Sequence, residues 1–257
     1  MGIIKLEDTR EINLNEHWFI PFPQRFKAQK RLFCFPYAAG SPNIFRNWKS
    51  GLPDYVEIVA INLPGRYDRF MEKSFSDWPT LLDATEDAIS PYLDKPFAFF
   101  GHSFGARLIF ELTKRLQAKN TSLPTQLFIS GCRCPHIPCS RPFIHTLSKA
   151  EFFELIFKMN GLSSEVVENQ RLITILEPAL RADMKLSELW EGSEEQKIKV
   201  PITVFCGLQD EVDPFERMHE WERYTEEKFS FYTFPGGHFF LHKNEKKLLK
   251  IISNMIE

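Results

Sequence analysis

The sequence has little excess charge, no long apolar run and no repetitive stretch. Its 32 Lys and Arg side chains are nearly balanced by 34 Asp and Glu side chains, giving a formal net charge of −2. This balance excludes the strong positive field that nucleic-acid binding requires. No segment approaches the roughly 18 consecutive apolar residues of a membrane-spanning helix, so we expect no membrane association. Without repeats, low-complexity tracts or Gly/Ser linkers, one domain with an insertion is the simplest organisation.

Cysteine is scarce as well. The 257-residue chain has five cysteines, an odd number, and it is long enough to bury a core without disulfides. We therefore expect reduced thiols, which are typical of a cytoplasmic protein. The first ten residues mix charged and apolar side chains and lack the long uncharged run of a secretory signal. The sequence thus predicts a cytoplasmic location, and we expect a monomer.

Short runs of apolar residues, rich in β-branched and aromatic side chains, recur along the chain and predict strands. They cover residues 31–35, 56–63, 97–100, 126–130, 202–206 and 229–234. Phenylalanine is abundant, with 25 residues, so many rings must pack in a core or line an apolar cavity.

Amphipathic runs between several of these strands predict helices. One follows Gly105 and stops near Asn120, others cover 80–92 and 214–225, and the basic tail 243–250 is the solvated face of a terminal helix. Strands that alternate with helices favour an α/β fold with a mostly parallel central sheet and helices on both faces.

A gap of about 70 residues separates Gly131 from the strand at 202 and is too long for one crossover helix. Ser148 and Glu151 form a capping box before an apolar run that ends near residues 160–161. A second amphipathic run begins at residue 165 and is interrupted by Pro178. We interpret roughly 135–195 as a small helical lid; extra helices packed on the scaffold without a gating role are the alternative.

The motif with the clearest chemistry follows the predicted strand 97–100. Gly101, Ser103 and Gly105 form the G-x-S-x-G pattern of a nucleophile elbow, between a strand and a helix as that motif requires. The glycines allow a tight turn that pushes the serine hydroxyl clear of the sheet, while the helix start offers free N–H groups and a partial positive charge. An ordinary strand–helix turn is the alternative.

A serine hydroxyl needs a base, and the base needs an orienting carboxylate. In this setting the chain order is serine, acid, histidine. Asp210 follows the predicted strand 202–206, and His238 follows the strand 229–234. Because the carboxyl ends of parallel strands meet at one edge of a sheet, we expect Ser103, Asp210 and His238 to converge as nucleophile, acid and base.

Other acidic and histidine residues compete for these roles. Asp213 directly precedes Pro214 and is predicted to cap the next helix, whereas Glu211 would point elsewhere. His242 is expected to be solvated or to pack. His102 adjoins the nucleophile and cannot easily place its ring against that hydroxyl, so we interpret it as a structural flank.

An oxyanion hole needs two hydrogen-bond donors. The backbone N–H of Phe104, directly after the predicted nucleophile, is the first candidate. The small-residue loop 36–41 follows the first predicted strand and supplies the Ala38 N–H as the second. A plain turn is the alternative for that loop.

A cluster of cysteines and one histidine suggests a metal at first sight: Cys132, Cys134, His136 and Cys139. Structural zinc usually uses two ligand pairs separated by a longer loop. Four ligands within eight residues, with two prolines among them, would be hard to arrange as a tetrahedron. We therefore expect no metal site.

Six segments, in this order, carry a family resemblance: LFCFPYAAGS at 32–41, LPGR at 63–66, GHSFGA at 101–106, SGCRCP at 130–135, LRAD at 180–183 and FPGGHFFL at 234–241. With them the chain resembles, from about Trp18 to Leu241, the type II thioesterases that accompany modular non-ribosomal peptide and polyketide synthases. The family usually has two glycines where Ala39 and Gly40 stand.

The resemblance implies a single α/β-hydrolase domain over 1–257 with a mobile helical lid, and it places the nucleophile, acid and base on Ser103, Asp210 and His238. It also implies the substrate, an acyl thioester on the phosphopantetheine arm of an acyl or peptidyl carrier protein, and no cofactor of the enzyme's own. The expected task is to remove aberrant or stalled acyl groups, as in antibiotic or siderophore biosynthesis. The Phe152-Phe153 and Phe239-Phe240 pairs either line an acyl pocket or simply pack.

Three alternatives remain open from the sequence. The enzyme could release medium-chain fatty acyl groups from a fatty acid synthase, or act as a general serine esterase on small oxygen esters. The third alternative is a carrier-protein binding module without catalysis, against which the intact set of Ser103, Asp210 and His238 argues.

Overall fold

Seven strands form one sheet in the computed structural model, which describes residues 17–20, 28–159, 166, 169–192 and 197–256. The spatial order is β1-β3-β2-β4-β5-β6-β7, with β1 antiparallel to β3 and all other neighbours parallel. The strands are β1 Phe19–Ile20, β2 Lys30–Phe35, β3 Val56–Ile61, β4 Phe97–His102, β5 Leu127–Ser130, β6 Ile202–Gly207 and β7 Phe229–Phe234. The mostly parallel sheet is confirmed.

Successive side chains of the central strands point to opposite faces of the sheet, and both faces are buried. Phe33 and Phe35 pack with Leu108 on one side, whereas Leu32 packs with Leu248 on the other. Because neither face is solvated, the strands are nearly continuous apolar runs. This is why β2 to β7 could be predicted to within two residues, and it confirms helices on both faces.

The helices of the described residues begin and end close to most of the predicted positions. They are α1 Trp78–Ile89, α2 Phe104–Ala118, α3 Lys149–Lys158, α4 Gln170–Glu188, α5 Phe240–Lys243 and α6 Glu245–Met255. The Ser148 side chain accepts a hydrogen bond from the Glu151 N–H, and the Glu151 carboxylate accepts one from the Ser148 N–H, so the capping box is confirmed. The predicted end of that helix at 160–161 lies outside the described residues.

Two helix predictions were wrong. The segment 214–225 forms two short 3-10 turns, Phe215–Arg217 and His219–Tyr224, instead of an α-helix. The tighter repeat brings the buried Trp221 indole to the Cys132 carbonyl, with a hydrogen bond of 2.8 Å. Helix α4 runs through Pro178 rather than stopping there. Packing of its apolar side chains with those of α3 stabilises the helix in spite of the proline.

Helices α3 and α4 lie within the predicted insertion 135–195 and form a third apolar cluster beside the sheet. Its buried members are Ile144, Phe152, Phe153, Ile156, Ile173, Leu180 and Met184, with Ala38 and Ala39 packed against them. The Phe152-Phe153 pair therefore serves packing between these helices. Among the described helices, none combines the length and apolarity that crossing a membrane would require.

Close backbone packing explains the glycines around Ser103. A Cβ atom added at Gly105 would lie 2.2 Å from the Phe35 carbonyl oxygen, and one at Gly101 would lie 2.4 Å from the Gly105 carbonyl. These neighbours are backbone atoms and cannot rotate away. The elbow therefore brings α2 against the end of β2 at a distance that only glycine permits.

Gly105→Ala is expected to lower the free energy of unfolding by about 3 kcal/mol, because the new methyl group forces backbone apart in a packed core. Urea unfolding followed by circular dichroism measures this change. Gly51→Ala is the matched control, since the first atom its Cβ would meet is a methyl group of the Leu249 side chain, at 2.6 Å. Equal destabilisation by the two variants would contradict the role of close backbone packing at the elbow.

Candidate active site

Four of the sequence-predicted site residues follow the carboxyl ends of parallel strands of the sheet. Ala38 comes after β2, Ser103 after β4, Asp210 after β6 and His238 after β7. Ala38, Ser103 and His238 line one cavity of about 50 Å³. The fold thus brings distant segments together at the edge of the sheet where α/β proteins place their reactive groups.

Ser103 sits in a strained turn between β4 and α2. Its φ of 55° and ψ of −111° lie in a region that residues with a side chain rarely adopt. The Ser103 N–H donates to the Ser130 carbonyl at 2.8 Å, and the Ser103 carbonyl accepts from the N–H groups of Ala106 and Arg107. Backbone bonds on both sides hold the strained conformation, which presents the side chain to the cavity.

Asp210 and His238 form a buried pair. The distance from His238 Nδ1 to Asp210 Oδ2 is 2.8 Å, and Asp210 Oδ1 accepts the N–H groups of Val212 and Asp213 at 2.9 and 3.0 Å. The Asp210 carboxylate accepts a hydrogen bond from the Nδ1–H of His238, which leaves Nε2 as the basic nitrogen of the ring. The two backbone N–H groups hold the Asp210 carboxylate in place, and the carboxylate in turn orients the His238 ring.

The loops that carry this pair are bonded to each other. The Gln209 N–H donates to the Gly236 carbonyl at 3.0 Å, and the Gly236 N–H donates to Gln209 Oε1 at 2.6 Å. A Cβ added at Gly207 would lie 2.5 Å from the carbonyl oxygens of Gly236 and Gly237. This close approach of the two loop backbones sets the spacing between Asp210 and His238.

Asp213 was wrongly predicted to cap a helix. Its carboxylate instead pairs with Arg107 at 2.7 Å and lies 4.0 Å from Arg133. Burial opposes its charge, but the two guanidinium groups hold the pKa of Asp213 below its usual value. Glu211 is exposed, away from the buried pair.

His102 packs behind the catalytic candidates. Its ring centroid lies 5.1 Å from that of His238, and its Nδ1 lies 2.8 Å from Ser130 Oγ. Burial, followed by the charge of His238, lowers the pKa of His102 well below its usual value, so the ring is neutral at physiological pH. This geometry agrees with a structural flank. His242 lies on α5, 3.4 Å from the Tyr37 hydroxyl, and burial lowers its pKa.

The loop after β2 makes a tight turn at the cavity. The Gly40 N–H donates to the Tyr37 carbonyl at 2.7 Å, and Ala39 has a φ of 51°, in the left-handed region that favours glycine. Ala39 therefore adopts, with some strain, a backbone conformation that glycine adopts freely. The neighbouring Ala38 lines the cavity.

A buried ion pair that the sequence analysis did not identify supports this turn. Asp183 of α4 accepts the Ala39 N–H at 2.7 Å and pairs with both terminal nitrogens of Arg66, at 2.6 and 3.0 Å. Arg66 and Asp183 are each only 2% exposed. The LPGR and LRAD segments contain these residues and so carried a signal, but nothing in the sequence showed that they meet.

The cysteine-rich segment shows no metal centre. Within the described ranges, no three His, Cys, Asp or Glu side chains come together in a way that could hold a metal ion. Cys132 and Cys134 are buried thiols, and burial raises the pKa of the Cys132 thiol to about 12. Of the other Phe pair, Phe239 lines the cavity while Phe240 packs under the sheet.

Comparisons with known proteins agree with this geometry. A model of the thioesterase domain family matches residues 30–256. The linear gramicidin dehydrogenase LgrE of Brevibacillus parabrevis is 35% identical, over 93% of this chain and 92% of that protein. The gramicidin S biosynthesis protein GrsT of Aneurinibacillus migulanus is 31% identical, over 93% of each chain.

Solved structures show the same architecture. RedJ, a thioesterase from the prodiginine biosynthetic pathway in Streptomyces coelicolor, superposes with a TM-score of 0.84 at 33% identity, over 90% of this chain and 92% of that one. The α/β-hydrolase fold predicted from the resemblance is confirmed. The family model covers most of the chain, and its fold is shared with known members: the chain belongs to the thioesterase domain family.

Proposed function

We propose that the protein hydrolyses acyl thioesters on the phosphopantetheine arm of an acyl or peptidyl carrier protein, and so removes aberrant or stalled acyl groups during non-ribosomal peptide or polyketide synthesis. The observation that carries this proposal is the shared wall of one cavity: Ser103 and His238 both line it, and Asp210 holds His238 at 2.8 Å. Relatives named for gramicidin S biosynthesis and for the prodiginine pathway support the biosynthetic setting.

In the proposed first step, His238 Nε2 takes the Ser103 proton as the serine oxygen bonds to the thioester carbonyl carbon. The carbon–sulfur bond then breaks, the protonated His238 gives its proton to the departing sulfur, and the pantetheine thiol leaves on its carrier. Water, deprotonated by His238, attacks the acyl-serine and releases the free acid, and the proton returns to Ser103. Asp210 orients the imidazole and stabilises its charged form in both steps.

The oxyanion that forms in each step needs donors in place before the reaction. The Phe104 N–H is at the first position of α2, where helix geometry leaves it without an intrahelical acceptor. The Ala38 N–H belongs to the turn whose next residue is held by Asp183. We assign these two backbone groups to the oxyanion hole.

The segment 135–195 is proposed as the lid of a single domain that spans 1–257. Side chains of its two helices, Ile156 of α3 together with Leu180 and Met184 of α4, line the same cavity as Ser103. A lid in this place shapes the acyl slot and excludes water from it. We further propose that the enzyme works as a cytoplasmic monomer without a cofactor of its own, its partner being the carrier protein.

Release of free acid from a loaded carrier protein tests this function. We expect the acid to form without added nicotinamide cofactor, faster from the thioester than from the oxygen ester of the same acyl group, and faster for short chains than for decanoyl. Mass spectrometry of the carrier and the released product gives each rate.

Three other results would contradict the proposal. A redox product formed only with a nicotinamide cofactor would place the protein with the dehydrogenases, the class that the name of its relative LgrE gives for that protein. Preference for the oxygen ester would indicate a general esterase. Preference for decanoyl would indicate medium-chain fatty acyl release.

A further inference from the structure

Two side chains of the cavity wall have buried polar atoms without hydrogen-bond partners. In the part of the chain that the structure describes, six such atoms occur, and three of them belong to Arg107 and Ser187: Arg107 Nε, Arg107 Nη1 and Ser187 Oγ. Arg107 and Ser187 are 4% and 6% exposed, and both line the cavity that contains Ser103. A buried charged donor without an acceptor destabilises a protein, so its position beside a substrate cavity suggests a bound acceptor.

The charge around Arg107 is also incompletely balanced. The Nη2 of Arg107 donates to Asp213 at 2.7 Å, but Arg133 approaches the same carboxylate at 4.0 Å. Arg133 gives its hydrogen bonds to backbone carbonyls, among them those of Ser187 and Trp190. Two guanidinium groups therefore share one carboxylate, which leaves an excess positive charge beside the cavity.

The other arginine of this wall already has an acceptor. Arg141 lines the cavity and pairs with Glu188 at 2.9 Å, and His238 of the same wall bonds Asp210 behind it. An added negative charge in the cavity would thus be attracted mainly to Arg107.

We propose, building on the thioesterase function above, that the acyl groups this enzyme removes are short and carry a carboxylate, which Arg107 binds through Nε and Nη1 with help from the Ser187 hydroxyl. Arg107 of α2 lies one helical turn after Ser103, which suits a carboxylate separated from the thioester carbonyl by only one or two carbons. A guanidinium edge binds a carboxylate through two parallel hydrogen bonds.

The cavity accommodates this ligand by a small movement of its wall. The unpartnered atoms of Arg107 are covered, and Met159 and Met184 form part of the same wall. Methionine side chains are flexible and change rotamer readily. The cavity of about 50 Å³ suits a short acyl group rather than a long one.

The test compares carrier proteins loaded with acyl groups of nearly equal shape. Malonyl is paired with 3-methylbutanoyl, and succinyl with 4-methylpentanoyl, so that an isopropyl group replaces the carboxylate. We expect the wild-type protein to have a higher kcat/KM for the charged member of each pair. In Arg107→Met the charged member should lose about 10- to 100-fold more kcat/KM than its neutral counterpart. Arg115→Met, on the same helix but outside the cavity wall, should keep the wild-type ratio.

Ser187→Ala provides a second variant that leaves the Arg107–Asp213 pair in place, and it should reduce the ratio several-fold. Wild-type preference for the neutral acyl groups, or an equal loss for both members in Arg107→Met, would overturn the proposal while leaving the thioesterase function intact. Absence of hydrolysis for all four acyl groups would instead overturn the function itself.

Discussion

Ser103→Ala is expected to lower kcat for acyl-carrier hydrolysis by at least about 10³-fold, because no other group replaces the attacking oxygen. The strained backbone at residue 103 and its position in the cavity wall with His238 both point to this hydroxyl. Affinity for the acyl carrier should change little, since the hydroxyl forms its bond to the substrate only during the reaction. Single-turnover release of acid from a loaded carrier measures the rate, and isothermal titration with a non-hydrolysable amide analogue measures the affinity.

Ser122→Ala is the matched control, because Ser122 lies exposed on the loop before β5. This variant should hydrolyse the acyl carrier at the wild-type rate. A fluorophosphonate probe should label wild type and Ser122→Ala, and leave Ser103→Ala unlabelled. Wild-type turnover by Ser103→Ala would show that the chemistry lies elsewhere. Carrier binding without turnover by the wild type would favour a binding module.

Asp210→Asn should lower kcat by about 10³- to 10⁴-fold, because an amide in place of the carboxylate favours the wrong tautomer of the imidazole and no longer stabilises its charge. The 2.8 Å bond to His238 Nδ1 is the contact at issue. The backbone N–H groups of Val212 and Asp213 still find an oxygen acceptor in Asn, so the loop should fold normally. Steady-state kinetics between about pH 6 and about pH 10 measure the loss, which should shrink as hydroxide increasingly replaces the base.

Glu211→Gln controls for the loss of one negative charge in the same loop, and because Glu211 is exposed it should retain wild-type rates. Asp213→Asn distinguishes the roles of the two buried carboxylates. It breaks the pair of residue 213 with Arg107 but leaves the contact between Asp210 and His238 in place. If Asp210→Asn kept wild-type kcat while Asp213→Asn lost it, the assignment of the acid would be reversed.

Much of the fold could be predicted because its strands are buried on both faces and therefore stand out as apolar runs. The same reasoning could not find β1, two residues long, which exists through its pairing with Ile61 and Ala60 of β3. It also ended a helix at Pro178, because the packing that carries α4 past the proline involves residues far away in the chain. Local patterns show local preferences, and tertiary contacts decide where those preferences are weak.

In the candidate active site, too, some features could be predicted from local patterns and others could not. The positions of Ser103, Asp210 and His238 could be predicted because each follows a recognisable strand and their chain order is known. The partners of Asp213 and Asp183 could not, since Arg107 is 106 residues from the first and Arg66 is 117 residues from the second. Nothing in a local pattern indicates which buried arginine a carboxylate will meet.

The carboxylate of Asp183 links helix α4 to the loop after β2, since it bonds both Arg66 and the Ala39 N–H. Lifting α4 away from the sheet would strip Arg66 of its counter-charge, a loss of about 3–5 kcal/mol for a buried pair, and would release the Ala39 N–H at the same moment. The position of α4 and the shape of the turn at Ala39 are therefore energetically coupled, and a displacement of the helix would be felt in the cavity wall beside Ser103.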